Sequence, residues 1–333
     1  MDINKFVVLS VKQNASDLHL CTGHPARIRI NGELVACQDS EAITHAQLQS
    51  LSQAWLDSDQ LHALAQQGQA DAAVTLPCGQ RLRINFFRQC RGLSLAMRTL
   101  PQDCPSLTTL QTPDILRQLS EQQDGLILIV GATGSGKSTT LAAMIGHLNH
   151  TCARHIITLE DPIEFLHRSQ RCLIQQRELG RHTSSFVQGI RAALREDPDV
   201  LLLGELRDTD SIRLALTAAE TGHLVLATLH ARHATQAVDR LCDVFPADEK
   251  AFVRAQLAGS LRGIVAQKLL ATQQGGRVAI YEILTSTPAV CNLIREGKTH
   301  QLPDSLQTGG EAGMQTFAQS RAQRISAGYQ LLA

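Results

Sequence analysis

An unbroken apolar run, Leu126-Ile127-Leu128-Ile129-Val130, passes directly into Gly131-Ala132-Thr133-Gly134-Ser135-Gly136-Lys137-Ser138 and leaves few folds open. The run reads as a buried strand, the glycines as a tight loop, and Leu141-Ala142-Ala143-Met144-Ile145 as the body of a following helix. The loop has the Gly-x-x-x-x-Gly-Lys-Ser spacing of a phosphate cradle. Its glycines let backbone N–H groups curl around an anion, and the dipole of the helix behind favours negative charge. Lys137 is placed to reach the β- and γ-phosphates, and Ser138 to ligate Mg²⁺. The nucleotide-binding set is Gly131, Thr133, Gly134, Ser135, Gly136, Lys137, Ser138 and Thr139. A glycine-rich turn with a chance lysine is the alternative, and the strand, loop and helix order argues against it.

The chain has 333 residues, more than a single typical core accommodates, so two domains are expected. In the first part, Ser16-Asp17-Leu18-His19-Leu20 and Ala26-Arg27-Ile28-Arg29-Ile30-Asn31-Gly32 alternate polar with apolar, the second ending in an Asn-Gly turn signal. Thr44 is a candidate cap for a helix carrying Leu48, Leu51 and Trp55, and further strands are expected over 71–76 and 81–87. The first domain is therefore small and α+β, spanning 1–100. Pro101, Pro105 and Pro113 mark a connection over 101–123, and a domain over 124–333 follows. There, strand-like runs at 155–159, 200–203 and 224–229 alternate with helical patterns, predicting an α/β fold with a mostly parallel sheet. Toward the end, 248–270, 288–295 and 314–327 read as helices around a strand at 277–283.

Composition narrows the function classes. Lys plus Arg and Asp plus Glu both number 31, so no net field draws the chain to nucleic acid or an anionic bilayer. Nine cysteines occur without a Cys-x-x-Cys pair, which suits reduced, mostly core thiols in a cytosol. No signal-peptide pattern or bilayer-length apolar run is present, so a cytoplasmic protein without membrane insertion is expected.

Ligands of open parallel sheets bind beyond the carboxyl ends of the strands, so the residues there are the candidate machinery. Val200-Leu201-Leu202-Leu203 ends in Gly204-Glu205, which puts Glu205 where an acid holds Mg²⁺ through water. The run before Glu160-Asp161-Pro162-Ile163-Glu164 supplies a second acidic loop, and Glu164 is the candidate for orienting the attacking water. His223 and His230 flank the third run seven positions apart, roughly 23 Å along a strand, too far to share a metal. His230 lies at the carboxyl end and is a candidate for contacting the γ-phosphate region, whereas His223 fits a helix stop. Arg81 and Arg83 share one face of a strand with Asn85, and Arg88, Arg91 and Arg98 follow. This cluster is either a solvated sheet face or a source of guanidinium groups for a nucleotide's phosphates.

Taken together, Ser16-Asp17-Leu18-His19-Leu20, the phosphate loop, Glu160 to Glu164, Leu194-Arg195-Glu196-Asp197-Pro198-Asp199, Gly204-Glu205-Leu206-Arg207-Asp208, and Thr221-Gly222-His223 through Thr228-Leu229-His230 form a specific set. In that order they resemble the secretion ATPases of type II secretion and type IV pili, over nearly the whole chain. The resemblance implies a PAS-like first domain, a RecA-like ATPase domain, and a homohexamer holding ATP and Mg²⁺ between domains, working at an inner-membrane pilus or secretion platform. It assigns the Walker A motif to Gly131–Ser138, the Asp box to Glu160–Glu164, Walker B to Glu205 and the His box to His223–His230. Arginines from the first domain match Arg83 and Arg98.

Lack of a Cys-x-x-Cys zinc insertion and of a longer N-terminal extension points to the pilus-retraction branch, the twitching-motility motors. That branch carries Ala-Ile-Arg-Asn-Leu-Ile-Arg-Glu near its C-terminus, and here the run is Ala289-Val290-Cys291-Asn292-Leu293-Ile294-Arg295-Glu296. Cys291 stands in place of an arginine. A regulatory or structural ring with weak turnover is therefore an alternative. A RecA-type nucleic-acid motor or a small-molecule kinase fits less well, since the net charge is zero and no lid segment is evident.

Overall fold

The computed structural model describes residues 3–332 except 14, 31, 39, 102 and 274. The chain forms two compact units, Met1–Asp103 and Cys104–Ala333.

The first unit starts with helix α1 (Ile3–Lys12) and strands β1 (Asp17–Cys21), β2 (Arg27–Ile30) and β3 (Glu33–Ala36). Helices α2 (His45–Trp55) and α3 (Ser58–Gln67) follow, then β4 (Gln69–Thr75), β5 (Arg81–Gln89) and β6 (Gly92–Leu100). The strands form an antiparallel sheet in the order β3-β2-β1-β6-β5-β4. Alternation decides its faces: Leu18, Leu20, Ile28, Leu82, Ile84, Phe86, Leu95 and Met97 enter one core, shared with Val7, Leu48 and Leu64 of the helices. Thr44 caps α2 through a reciprocal pair, accepting from the Gln47 N–H while its own N–H donates to Gln47 Oε1. Of the Asn-Gly turn signal, Asn31 lies outside the described residues, and Gly32 has φ of 89°.

The second unit opens with α4 (Ile115–Ser120) and β7 (Gly125–Val130), followed by α5 (Lys137–Thr151), β8 (His155–Glu160), β9 (Leu173–Glu178) and α6 (Phe186–Ala193). Next come β10 (Val200–Leu203), α7 (Thr209–Glu220), β11 (Leu224–Leu229), α8 (Ala234–Asp243) and α9 (Lys250–Ser260). The unit ends with β12 (Leu261–Ala271), β13 (Arg277–Thr285), α10 (Pro288–Arg295), α11 (Leu302–Thr308) and α12 (Phe317–Ser326). Its seven-stranded sheet has the order β13-β12-β7-β11-β10-β8-β9 and is parallel except for the β12–β13 pair. The central strands are apolar on both faces because helices cover both. Leu126, Leu128 and Val130 pack with Ile212, Leu216 and Leu257 of α7 and α9, while Ile127 and Ile129 pack with Leu141, Met144 and Ile145 of α5.

One sequence expectation is corrected. The stretch 248–270 is not a single helix: α9 ends at Ser260 and the chain continues as β12 between β7 and β13. A strand buried on both faces shows no two-residue alternation, so its run of Ile264-Val265-Ala266 continues the apolar pattern of the helix before it. Gly259 and Gly263 are the signals that the helix stops. A Cβ on Gly263 would lie 3.0 Å from both methyl carbons of Leu119, so a larger residue here would have to push that side chain aside where the strand passes α4.

Candidate active site

The register of the parallel strands assembles the site. Leu229 of β11 pairs with Val130 of β7, so His230 emerges next to Gly131. Leu203 of β10 pairs with Ala227 of β11 and with Leu159 of β8, so Gly204-Glu205 emerges between the histidine and the acidic loop. Residues far apart in sequence thus meet at one edge because their strands end together.

The loop joining β7 to α5 turns through Gly134, φ 76°, and Gly136, φ 90°, in the left-handed region. Gly136 precedes the first turn of α5, which holds no acidic residue, so the positive end of the helix is uncompensated by side chains. Lys137 Nζ donates to the carbonyls of Gly131, at 2.9 Å, and Ala132, at 3.0 Å, and so spans the mouth of the loop. Burial lowers its pKa from the ordinary lysine value, and the carboxylates of Glu205 and Glu164 push it back up. Both acids therefore face the lysine electrostatically. Thr133, Gly134 and Ser138 are exposed and Thr139 is half-buried, whereas Ser135 is buried with a hydroxyl that makes no hydrogen bond.

Glu205 is held from two sides. Its Oε2 accepts from Arg207 Nε at 2.8 Å and Nη2 at 2.7 Å, and its Oε1 lies 3.0 Å from His230 Nε2. The other ring nitrogen of His230, Nδ1, is 3.3 Å from the Gly131 carbonyl, so the imidazole joins the acid to the phosphate loop. The hydrogen bond to Glu205 raises the Arg207 pKa, partly opposed by burial, and the negative charge of Asp161 adds a smaller rise. Within that loop Glu160 accepts from Thr158 Oγ1 at 2.7 Å and Gln176 Nε2 at 3.1 Å. Glu164 is half-buried.

The two histidines separate as the strand geometry requires. His223 Nδ1 lies 3.1 Å from the Ala218 carbonyl at the end of α7, at the opposite end of β11 from His230. Arg83 and Arg98 sit directly opposite each other in the β5–β6 pair of the first unit, and Arg98 bonds Asp17 at 2.8 Å. Arg81 of the same face is buried.

Several contributors escaped motif reasoning. Gln267 of β12 is 3% exposed; its Nε2 donates to the Ser135 carbonyl at 2.8 Å and its Oε1 accepts from Thr140 Oγ1 at 2.7 Å. Glu282 of β13 accepts from Ala234 N at 2.8 Å and lies 3.2 Å from His233 Nδ1, capping the helix that follows His230. Nothing in the local pattern singled out Gln267, which stands beside Lys268 in the sequence and takes its role only because β12 lies next to β7.

A phosphate loop on a central parallel strand, with acids and a histidine on the neighbouring strand ends, defines a nucleotide-binding protein of the P-loop class. Within that class the chain belongs to the type II/IV secretion system protein family, whose sequence profile matches residues 1–332. An uncharacterized protein of Escherichia coli (strain K12), YggR, is 58% identical over 328 residues, 98% of this chain and 99% of that protein. The type IV pilus retractation ATPase PilT of Pseudomonas aeruginosa is 46% identical over 317 residues, 95% of this chain and 92% of its own length. A crystal structure of the pilus retraction motor PilT with bound ADP superposes with a TM-score of 0.91 at 38% identity, covering 100% of this chain and 95% of that one.

Proposed function

We propose that the chain is an ATP-hydrolysing motor subunit that drives pilus retraction. The observation that carries this reading is the Gly131–His230–Glu205–Arg207 chain, which ties a phosphate loop to an acid at the neighbouring strand end. In the reaction, the loop N–H groups and Lys137 hold the phosphates and neutralise charge as the γ-phosphoryl leaves. Glu164 orients the attacking water and accepts its proton. His230, between Gly131 and Glu205, reports the γ-phosphate position to the acid.

The residues fit Mg²⁺. Ser138 and Glu205 offer hard oxygen donors, and the described residues hold no cluster of three or more His, Cys, Asp or Glu side chains suited to a metal. Hard oxygen donors of this kind suit Mg²⁺. Bound there, Mg²⁺ would neutralise phosphate charge, with Ser138 as direct ligand and Glu205 acting through water.

The same reading makes the working form a homohexamer, with ATP between domains and Arg83 and Arg98 delivered to the phosphates from the first domain, PAS-like and spanning 1–100. The ring would act at the cytoplasmic face of an inner-membrane platform. Among the described residues no helix is long and apolar enough to cross a membrane. Deleting the gene tests the direction of force: surplus surface pili and lost twitching are expected, whereas loss of the fibres would overturn retraction.

Cys291 favours a second reading, a ring of weak turnover. It is half-buried on α10 and packs against the main core, so the helix is retained where the retraction branch has an arginine. Under this second reading Cys291→Arg raises the coupling of hydrolysis to retraction. Unchanged twitching with that variant would remove the distinction.

A further inference from the structure

We infer that Gln267 is a positioning residue of the nucleotide site, one that aims a backbone N–H of the phosphate loop at the anion. The inference rests on the nucleotide-binding reading above and adds a residue that no phosphate-loop motif contains.

The chemistry of its two partners fixes the orientation of the Gln267 amide. The Ser135 carbonyl only accepts, so the end of the Gln267 amide that faces it at 2.8 Å is the NH₂. The other end accepts from Thr140 Oγ1 at 2.7 Å, which fixes the amide plane and stops it turning over. Gln267 is 3% exposed and Thr140 fully buried, so water does not substitute for either bond.

In a trans peptide the C=O and the N–H point in opposite directions. Anchoring the Ser135 carbonyl on the β12 side therefore turns the Gly136 N–H away from β12, toward the concave side of the loop. Gly136 is also the residue just before the first turn of α5, where the helix dipole adds to the pull on an anion. The same strand braces the other end of the loop: a Cβ on Gly131 would lie 2.6 Å from the Gln267 carbonyl oxygen. One strand residue thus sets both the start of the loop, by close approach, and its last peptide, by hydrogen bond. Ser135 and Thr140 are five positions apart on either side of the loop–helix junction, and the amide locks them to one neighbour.

The test uses the full chain, with ADP and Mg²⁺ as the probe, and compares Gln267→Met, which keeps the volume but neither bond, with wild type. The expected result is a Kd for ADP raised on the order of tenfold or more, the cost of one mis-aimed hydrogen bond to a charged group. Chemical unfolding without nucleotide separates this from a merely structural role, which would lower the unfolding midpoint and leave the Kd of the folded protein unchanged. That outcome overturns the inference. If Gln267→Met does not fold, the Thr140 pair decides: Thr140→Val, which frees the amide, weakens ADP binding severalfold, and Thr140→Ser, which keeps the hydroxyl, restores it. Equal affinities for the two Thr140 variants also overturn it. Wild-type protein that binds no ADP would instead remove the nucleotide site itself, and the inference with it.

Discussion

Gly136→Ala should damage the protein more than Gly134→Ala, and the structure says by how much. Both glycines have left-handed backbones, φ 90° and φ 76°, so an L side chain at either costs ~1–2 kcal/mol. They differ in surroundings. A Cβ on Gly134 meets nothing within 4 Å, whereas one on Gly136 would lie 2.7 Å from Gln267 Nε2. The amide cannot retreat, because it is buried and already bonded to Ser135 and Thr140. Displacing it breaks the bond to Ser135 and leaves a buried donor unpaired, a further ~1–3 kcal/mol. The expected totals are therefore about 1.5 kcal/mol for Gly134→Ala and about 3.5 kcal/mol for Gly136→Ala, summing these costs. Urea unfolding without nucleotide and ADP titration should be run on both variants, since the penalty appears as lost stability if the loop holds its shape and as lost affinity if it yields. Their sum is the quantity to compare. Equal sums for the two glycines would rule out the Gln267 contact as the source of the extra cost.

Other outcomes follow from the same site and fold. Glu205→Gln should lower ATP turnover about a hundredfold or more while ADP affinity stays within a few fold, read by steady-state hydrolysis and titration. Glu164→Gln should also lower turnover, and retained hydrolysis would remove Glu164 from the water-orienting role. Burial pushes the His167 pKa down to about 4, below its unfolded value, so the unfolded chain binds the extra proton first. Stability is therefore full above about pH 6.5, the unfolded pKa, and falls with pH toward pH 4, a dependence that His167→Gln should flatten in urea melts across that window. Arg324 is 9% exposed and donates to the Ala279 carbonyl at 3.0 Å and the Gln111 carbonyl at 2.7 Å. Arg324→Ala should cost ~3 kcal/mol, visible as a lower unfolding midpoint with little change in turnover of the folded protein.

The strand, loop and helix over 126–145 are legible because apolar run, glycine spacing and helical pattern agree with one another. The strands ending at Leu203 and Leu229 are legible for the same reason, and parallel register then brings their last residues together. β12 is not, since a strand covered on both faces gives no alternation to distinguish it from the helix it follows. Gln267 and Arg207 escape for another reason. Their roles depend on which strand lies beside β7 and on which side chain turns back toward Glu205, neither of which has a signature in local spacing. Arg83 and Arg98 show the limit from the other direction: alternation puts Arg83 on one face with Arg81 and Asn85, and the register that sets Arg98 opposite it shows only that the two are neighbours. Delivery to a nucleotide would depend on how domains and subunits assemble, which local sequence pattern does not encode.

Whether this phosphate loop drives ATP hydrolysis is decided by measuring phosphate release from ATP and Mg²⁺ by the purified full chain and by Lys137→Ala. Steady turnover by the wild type and its abolition in the variant are expected. No turnover by the wild type, or equal turnover by both, would contradict it.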